Sequence, residues 1–308
     1  MPSLSHKHKA LFERYAFHRP SLSAYSFSHI FLWSDCFEFD FQVIAQCLCV
    51  WAKNSLGIFL YLPPLGQNPQ AALEECFRFM ERENGVGAMC RVEHVACDDL
   101  NLFSPEEFVY YEKGMEYGYR RTAIGALLGN AYKSKRWAYN HFVKHNDYEY
   151  RPFDPAMREE CLLLYDDWAK NRRRVYREEV YNQMLDDSRM ALSRALGDFD
   201  HGGLIGRVIR VDGKIKAMTF GYPLTPEVFC VAFEIADLNR KGITSAIFRK
   251  FCQDPAIHSY ELINAMDDFG LENMTVVKES FRPAVRWPVY GVKRKPVSGY
   301  PDTRLSGI

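Results

Sequence analysis

No stretch of this chain is apolar for long enough to cross a bilayer. The longest candidate, FQVIAQCLCVWA at 41–52, is well short of the ~20 residues a spanning helix needs. The opening MPSLSHKHKALFERY also lacks the apolar run of a signal peptide. A cytosolic protein is expected, with peripheral contact at a membrane surface as the alternative. Charge of one sign is lacking too: 39 Lys and Arg balance 39 Asp and Glu, so composition implies no uniform affinity for nucleic acid. The nine cysteines include no C-x-x-C pair. At irregular spacing in a chain this long they read as reduced, buried thiols rather than a disulfide framework. Cys47 and Cys49 fall on one face of a strand and belong to its core. The nine histidines are read as forming no metal site, and no structural metal is expected.

What is present is enough for two domains or one large one, at 308 residues with 47% apolar and 25% charged. Aromatic residues reach 15%, enough for large cores or ring-lined grooves. The basic residues are unevenly spread. Residues 117–151 hold seven Lys and Arg against two acids, 168–177 hold five against none, and 278–295 hold six against one. Each stretch is either a solvated face or one part of a surface converging on an anionic ligand, and for any single one the solvated face is the commoner outcome.

Along the chain, YSFSHIFLW and CFEFDFQVIAQCLCVW show the partial alternation of strands. GIFLYLPPLG is a short strand stopped by Pro-Pro and Gly. Asn68 and Pro69 start a helix whose apolar face is Leu73, Cys76, Phe77 and Met80. Ser104-Pro105-Glu106-Glu107 has capping-box spacing, although the aromatic run after it reads equally as extended. DYEYRPFDP marks a change of composition, so two domains are expected, 1–150 and 151–308. Asp154 and Pro155 then start a helix with Met157, Cys161, Leu164, Tyr165 and Trp168 on its apolar face. Asp212-Gly213 between GGLIGRVIRV and KIKAMTFGYP signals a hairpin. EVFCVAFEI, SYELINA and WPVYGVK read as strands, with helices GITSAIFRKFCQ and LENMTVVKES between them. Hairpin, strand, helix, strand, helix, strand implies a mixed α/β sheet, and that order resembles the GNAT acyltransferase core.

Two stretches carry a closer likeness. LLGNAYKSKRWAYNHF (127–142) resembles the L-x-G-x-x-Y-x-x-K-R-x-x-x-N-x-F segment of the DUF2156 family through Leu127, Gly129, Tyr132, Lys135, Arg136, Asn140 and Phe142. NAMDDFGLENMTVVKESFRP resembles its N-x-x-D-x-G-x-x-x-x-x-x-K-x-S-[YF]-x-P signature through Asn264, Asp267 or Asp268, Gly270, Lys278, Ser280, Phe281 and Pro283. VAFEIAD and YSFSHIFLW resemble two further segments. Two positions depart: Ile235 stands where the family usually has Lys, and Thr275 where Arg is common. The family is similar to the C-terminal catalytic domain of phosphatidylglycerol lysyltransferases. The resemblance implies two tandem GNAT-like domains, moving an aminoacyl group from aminoacyl-tRNA to an amine or hydroxyl, such as a lipid headgroup. An acyl-CoA N-acyltransferase and a non-catalytic module that keeps the groove are the alternatives.

Acyl transfer from an ester needs an oxyanion stabilised, a nucleophile deprotonated and the donor's phosphates held. Lys278 is the first candidate for the oxyanion or a phosphate. Arg282 shares its groove if the helix extends that far. Asp267 and Asp268 either pair with these bases, cap the next helix or, less often, move a proton. Glu234, near the end of an apolar strand, becomes a general base if it points inward, where desolvation raises its pKa. Asn264, in the strand beside them, is counted with the donor- and phosphate-binding candidates. Lys133, Lys135 and Arg136, interleaved with aromatics, have the composition of an RNA-contacting strip or of a solvated helix face. The loop Asn239–Thr244 keeps a single glycine where acyl-CoA enzymes carry a glycine-rich pyrophosphate cradle. This argues against acyl-CoA and leaves Arg240 and Lys241 to bind some other phosphate. No cofactor is expected, the donor itself being aminoacyl-tRNA.

Overall fold

The computed structural model describes residues 4–16, 20–55, 57–85 and 90–295. The chain divides into two compact units, Met1–Met115 with Trp287–Ile308, and Glu116–Arg286. Among the described residues no helix is long and apolar enough to cross a membrane.

The first unit begins with α1 (Lys9–Tyr15) and α2 (Phe27–Leu32). The second of these lies in YSFSHIFLW, which was expected to be extended. Phe27, Ile30 and Phe31 are all buried, and their spacing of three and four is that of a helix face. Partial alternation in the same letters hid that period. β1 (Glu38–Ile44) and β2 (Cys47–Asn54) form an antiparallel hairpin. Its two turn residues, Ala45 and Gln46, both adopt positive φ, as the twist of a two-residue turn requires. β2 is buried from Cys47 through Ala52.

β3 (Gly57–Leu60) pairs antiparallel with β2, and the short β4 (Leu65–Gly66) also lies against β2. α3 (Pro69–Asn84) follows, burying Leu73, Cys76, Phe77 and Met80 as expected. Asn68 stands at its N-cap without a side-chain cap bond. The helix crosses to β5 (Arg91–Ala96), which runs parallel to β3. Capping-box spacing at 104–107 starts no helix; β6 (Phe108–Arg120) is the extended alternative and runs from the first unit into the second.

Glu93 is the polar centre of this unit. It accepts from Arg91 Nε at 2.7 Å and Tyr111 Oη at 3.3 Å, and forms an ion pair with Lys113 Nζ at 2.5 Å. Burial pushes its carboxyl up, but Lys113 and Arg91 outweigh burial and hold it below the usual range.

The second unit continues with α4 (Arg121–Ala126), α5 (Lys133–His145) and β7 (Tyr148–Pro152). The composition change at 148–155 is therefore β7 and the turn after it, inside this unit. α6 (Arg158–Val175) is entered through Asp154, whose carboxylate accepts from Ala156 N at 2.9 Å. It buries Cys161, Leu164 and Tyr165. α7 (Glu179–Gly197) packs against it.

β8 (Ile205–Val211) and β9 (Lys214–Pro223) form the expected hairpin, with Asp212 and Gly213 at positive φ. β10 (Val228–Ala236) is antiparallel to β9. α8 (Ile243–Cys252) then crosses to β11 (Leu262–Asp267), which runs parallel to β10 and antiparallel to the end of β6. After α9 (Glu272–Glu279) the chain rejoins the first unit as β12 (Val285–Arg294), antiparallel to β5. Each unit thus contains hairpin, antiparallel strand, crossover helix and parallel strand in that order.

Glu93→Ala should lower unfolding free energy by roughly 3 kcal/mol, because it strands the buried Arg91 and removes the partner of the half-buried Lys113. A urea denaturation midpoint that barely moves would show the cluster to be dispensable.

Candidate active site

A bulge in β10 between Val231 and Phe233 precedes Glu234 and breaks the simple alternation along the strand. The Glu234 Oε2 is shut off from solvent and has no hydrogen-bond partner among the described residues. Burial raises this carboxyl to about 8, against the pull of Lys278 and Lys135. It therefore faces inward, the orientation that suits a general base.

Lys135 comes from the inner side of α5. Its Nζ stands 3.7 Å from the centre of the Phe281 ring. Burial lowers its ammonium to about 8, opposed by Glu234 and assisted by Arg282. An acid and a base poised near the same pH exchange a proton at little cost.

Lys278, near the end of α9, donates to Ala265 O at 2.6 Å and Met266 O at 3.3 Å. Met266 has φ +61°, so the ammonium fastens an irregular strand end. Burial lowers its pKa, while Asp267, Glu116, Asp268 and Cys230 raise it. Two of the three protons of an ammonium are engaged this way.

The two aspartates part company. Buried Asp268 accepts from Tyr117 Oη at 2.6 Å, Thr275 Oγ1 at 2.6 Å and Gly270 N at 3.1 Å. Its role is to build the turn into α9 and hold Tyr117, whose phenol burial pushes up to about 12. Asp267 ends β11 opposite Glu116 in the register. Asn264 is fully buried and donates to Glu116 Oε2 at 2.5 Å while accepting from Met266 N at 2.7 Å.

Glu116, Tyr117 and Tyr119 were missed by sequence reading. Tyr119 donates to the Lys278 carbonyl at 2.9 Å. Their signal was the E-Y-G-Y-R alternation at the end of β6, concealed by the ambiguity over whether that segment was helical.

The other basic candidates divide sharply. Lys133 is on the exposed side of α5. Arg136 Nη1 donates to the carbonyls of Leu127 and Gly129, the latter at 3.0 Å. α9 ends at Glu279, and Arg282 lies beyond it at φ +59° with Nε 3.5 Å from Ala131 O. It does not share the helix face of Lys278 but stands near Lys135. Arg240 is held by Asp212 at 2.8 Å, and Lys241 Nζ lies 4.7 Å from the Trp137 ring centre. Gly242, at φ +87°, packs so closely on α5 that a Cβ there would meet Ala138 O at 2.0 Å. The one glycine of that loop is consumed by helix packing.

His141 and His145 have the H-x-x-x-H spacing that the sequence reading passed over, and their rings stack at 4.3 Å. Among the described residues no group of three metal-ligating side chains gathers.

A mixed α/β fold with GNAT-like order thus surrounds a buried acid flanked by cations. Residues 15–293 match the family described as Phosphatidylglycerol lysyltransferase, C-terminal. The chain belongs to that family. Among solved structures, a conserved protein of unknown function from Bacteroides thetaiotaomicron is 27% identical, with 96% of this chain and 99% of that one covered and a TM-score of 0.82. L-PGS from Bacillus licheniformis is 16% identical over 96% of this chain and 93% of that one, with a TM-score of 0.65. FemX is 7% identical over 94% and 96%, with a TM-score of 0.51. No curated protein matches the sequence.

The raised carboxyl of Glu234 makes stability fall with pH. A folded pKa of about 8 against an ordinary 4.5 favours the folded state fully below pH 4.5, and the gain is lost as pH rises to 8. Relative to wild type, Glu234→Gln should gain up to about 1.4 kcal/mol per pH unit between pH 5 and 8. Parallel curves in denaturation at several pH values would mean that the carboxyl is not held neutral.

Proposed function

We propose that the chain moves an aminoacyl group from aminoacyl-tRNA to an amine or hydroxyl, with a lipid headgroup as acceptor. The observation that carries this reading is the Glu234 Oε2, shut off from solvent and without a hydrogen-bond partner among the described residues, under the electrostatic pull of Lys278 and Lys135. In this mechanism Glu234 takes the proton of the attacking nucleophile. The third proton of Lys278 faces the developing oxyanion, and Lys135 with Arg282 holds donor phosphate. Attack is direct, with no enzyme-bound intermediate: as the new bond to the aminoacyl carbon forms, the ester C–O bond to the tRNA ribose breaks, and the proton held by Glu234 passes to the departing ribose oxygen. A base with a pKa of about 8 gives a rate that climbs with pH until that value.

Repetition of hairpin, strand, helix and parallel strand supports two tandem GNAT-like domains. The acyl-CoA alternative loses support from the loop before α8. Gly242 is taken up by Ala138 and Arg240 by Asp212, which leaves no glycine-rich cradle for a pyrophosphate. The non-catalytic alternative rested on Ile235 and Thr275. Ile235 is buried in β10, and Thr275 satisfies Asp268, so both serve packing without emptying the polar interior.

The test is transfer of labelled amino acids from a mixed pool of charged tRNA to detergent-dispersed phosphatidylglycerol, with acetyl-CoA as a parallel donor. Label should pass to lipid from tRNA alone, and Glu234→Gln should lower kcat by roughly 100-fold or more. Turnover of acetyl-CoA without tRNA-dependent transfer would sink the reading.

A further inference from the structure

The turn between α4 and α5 holds a leucine outward. Leu127 is left-handed at φ 52° and Gly129 has φ 79°. The Arg136 guanidinium grips both carbonyls that flank residue 128. At the tip, Leu128 is 75% exposed. A flexible loop would fold such a side chain back, whereas this one is clamped open.

The helix that follows continues the surface. Lys135, Ala138 and Phe142 lie on one side of α5, while Lys133, Trp137, His141 and Lys144 share the opposite side by helical spacing. Trp137 is 53% exposed, with Lys241 Nζ beside its ring. No Asp or Glu occurs from Tyr117 through Asn146. In the neighbouring segments Asp212 is paired with Arg240 and Asp237 with Lys216. Asp147 is the first acid after the helix.

We propose that this surface docks on an anionic lipid bilayer. Leu128 and Trp137 enter the headgroup boundary, and Lys133, Lys144 and Lys241 face the lipid phosphates. Exposed Trp and Leu rimmed by lysine suit an interface that is apolar on one side and negative on the other. Two apolar side chains give only weak insertion, so the lysines supply the remaining attraction and make binding depend on anionic lipid and on salt. RNA fits this surface less well. Lys241 Nζ already lies over the Trp137 ring and the tilted His141 ring stands 5.3 Å from it, which leaves less of the indole for stacking a base. Leu128 has nothing to offer a phosphate.

Docking goes beyond the transfer reading and requires no chemistry, so the two fail separately. The full chain is sedimented with extruded vesicles of phosphatidylglycerol and phosphatidylcholine in equal parts, and with pure phosphatidylcholine, at 0.1 and 0.5 M salt. Wild type should bind the mixed vesicles at low salt, release at high salt and ignore the neutral ones. Leu128→Asp combined with Trp137→Ala should weaken partition at least tenfold with unchanged circular dichroism. Leu128→Ser, at a tip exposed already in the native fold, keeps the test valid if the double variant misfolds, and should still weaken binding several-fold. Wild type that ignores anionic vesicles overturns the proposal, as does a folded Leu128→Ser that binds them unchanged. Variants that lose tRNA binding and keep vesicle binding would overturn it in favour of an RNA surface.

Discussion

The ammonium of Lys278 is the constraint on which the polar interior of the second unit depends. β11 ends irregularly, with Met266 in a left-handed conformation and a register shift before Asp267. Its carbonyls at 265 and 266 turn away from regular pairing and are taken by Lys278. From that point the network spreads in both directions. Asn264 joins the strand to Glu116, Asp268 joins the next turn to Tyr117 and Thr275, and Tyr119 caps the Lys278 carbonyl. Removing the lysine would leave buried carboxylates without their cation, a loss far larger than that of an exposed pair. Its structural and electrostatic duties are inseparable, which makes Glu234 the cleaner probe of chemistry.

Glu234 is held differently. It has cations nearby but no hydrogen-bond donor on Oε2, and burial dominates its titration. A fold selected for stability alone would satisfy that oxygen or replace the side chain by an apolar one. The cost is tolerable because the proton stays on near neutral pH, so no bare charge is buried. Lys135, lowered to about 8 by the same desolvation, stands ready to compensate once that proton leaves.

Much of the second unit was legible because local signals agreed with one another. Asp212-Gly213 marks its hairpin, Asp154-Pro155 its helix start, and the face of α8 its burial. Helix α2 was not legible, since its six residues satisfy two periods at once. The division into units was hidden for another reason. β12 is far in sequence from the strand it joins, and no composition change records a returning strand. Lys278, Glu234, Asn264 and Asp268 stand out as candidates in the sequence because charged or amide side chains beside an apolar strand are conspicuous. Glu116 escaped because what defines it is Asn264, 148 positions away in sequence. Arg136 looked like a phosphate ligand, yet its partners are backbone carbonyls seven and nine residues before it. No count of charges distinguishes these uses.

The loop before α8 shows how packing redirects a fold's chemistry. A helix N-terminus facing open space with several glycines offers its N–H groups to a pyrophosphate. Here α5 lies against that position, and Gly242 is the residue that permits it, since any Cβ would collide with Ala138 O. The same helix carries Lys135 inward toward Glu234 and Trp137 outward toward solvent. Its approach thus removes one donor site, supplies a cation to the buried acid and exposes an aromatic surface in a single placement. Substituting Gly242 would therefore do more than strain one loop, because it would shift the helix from which both faces project.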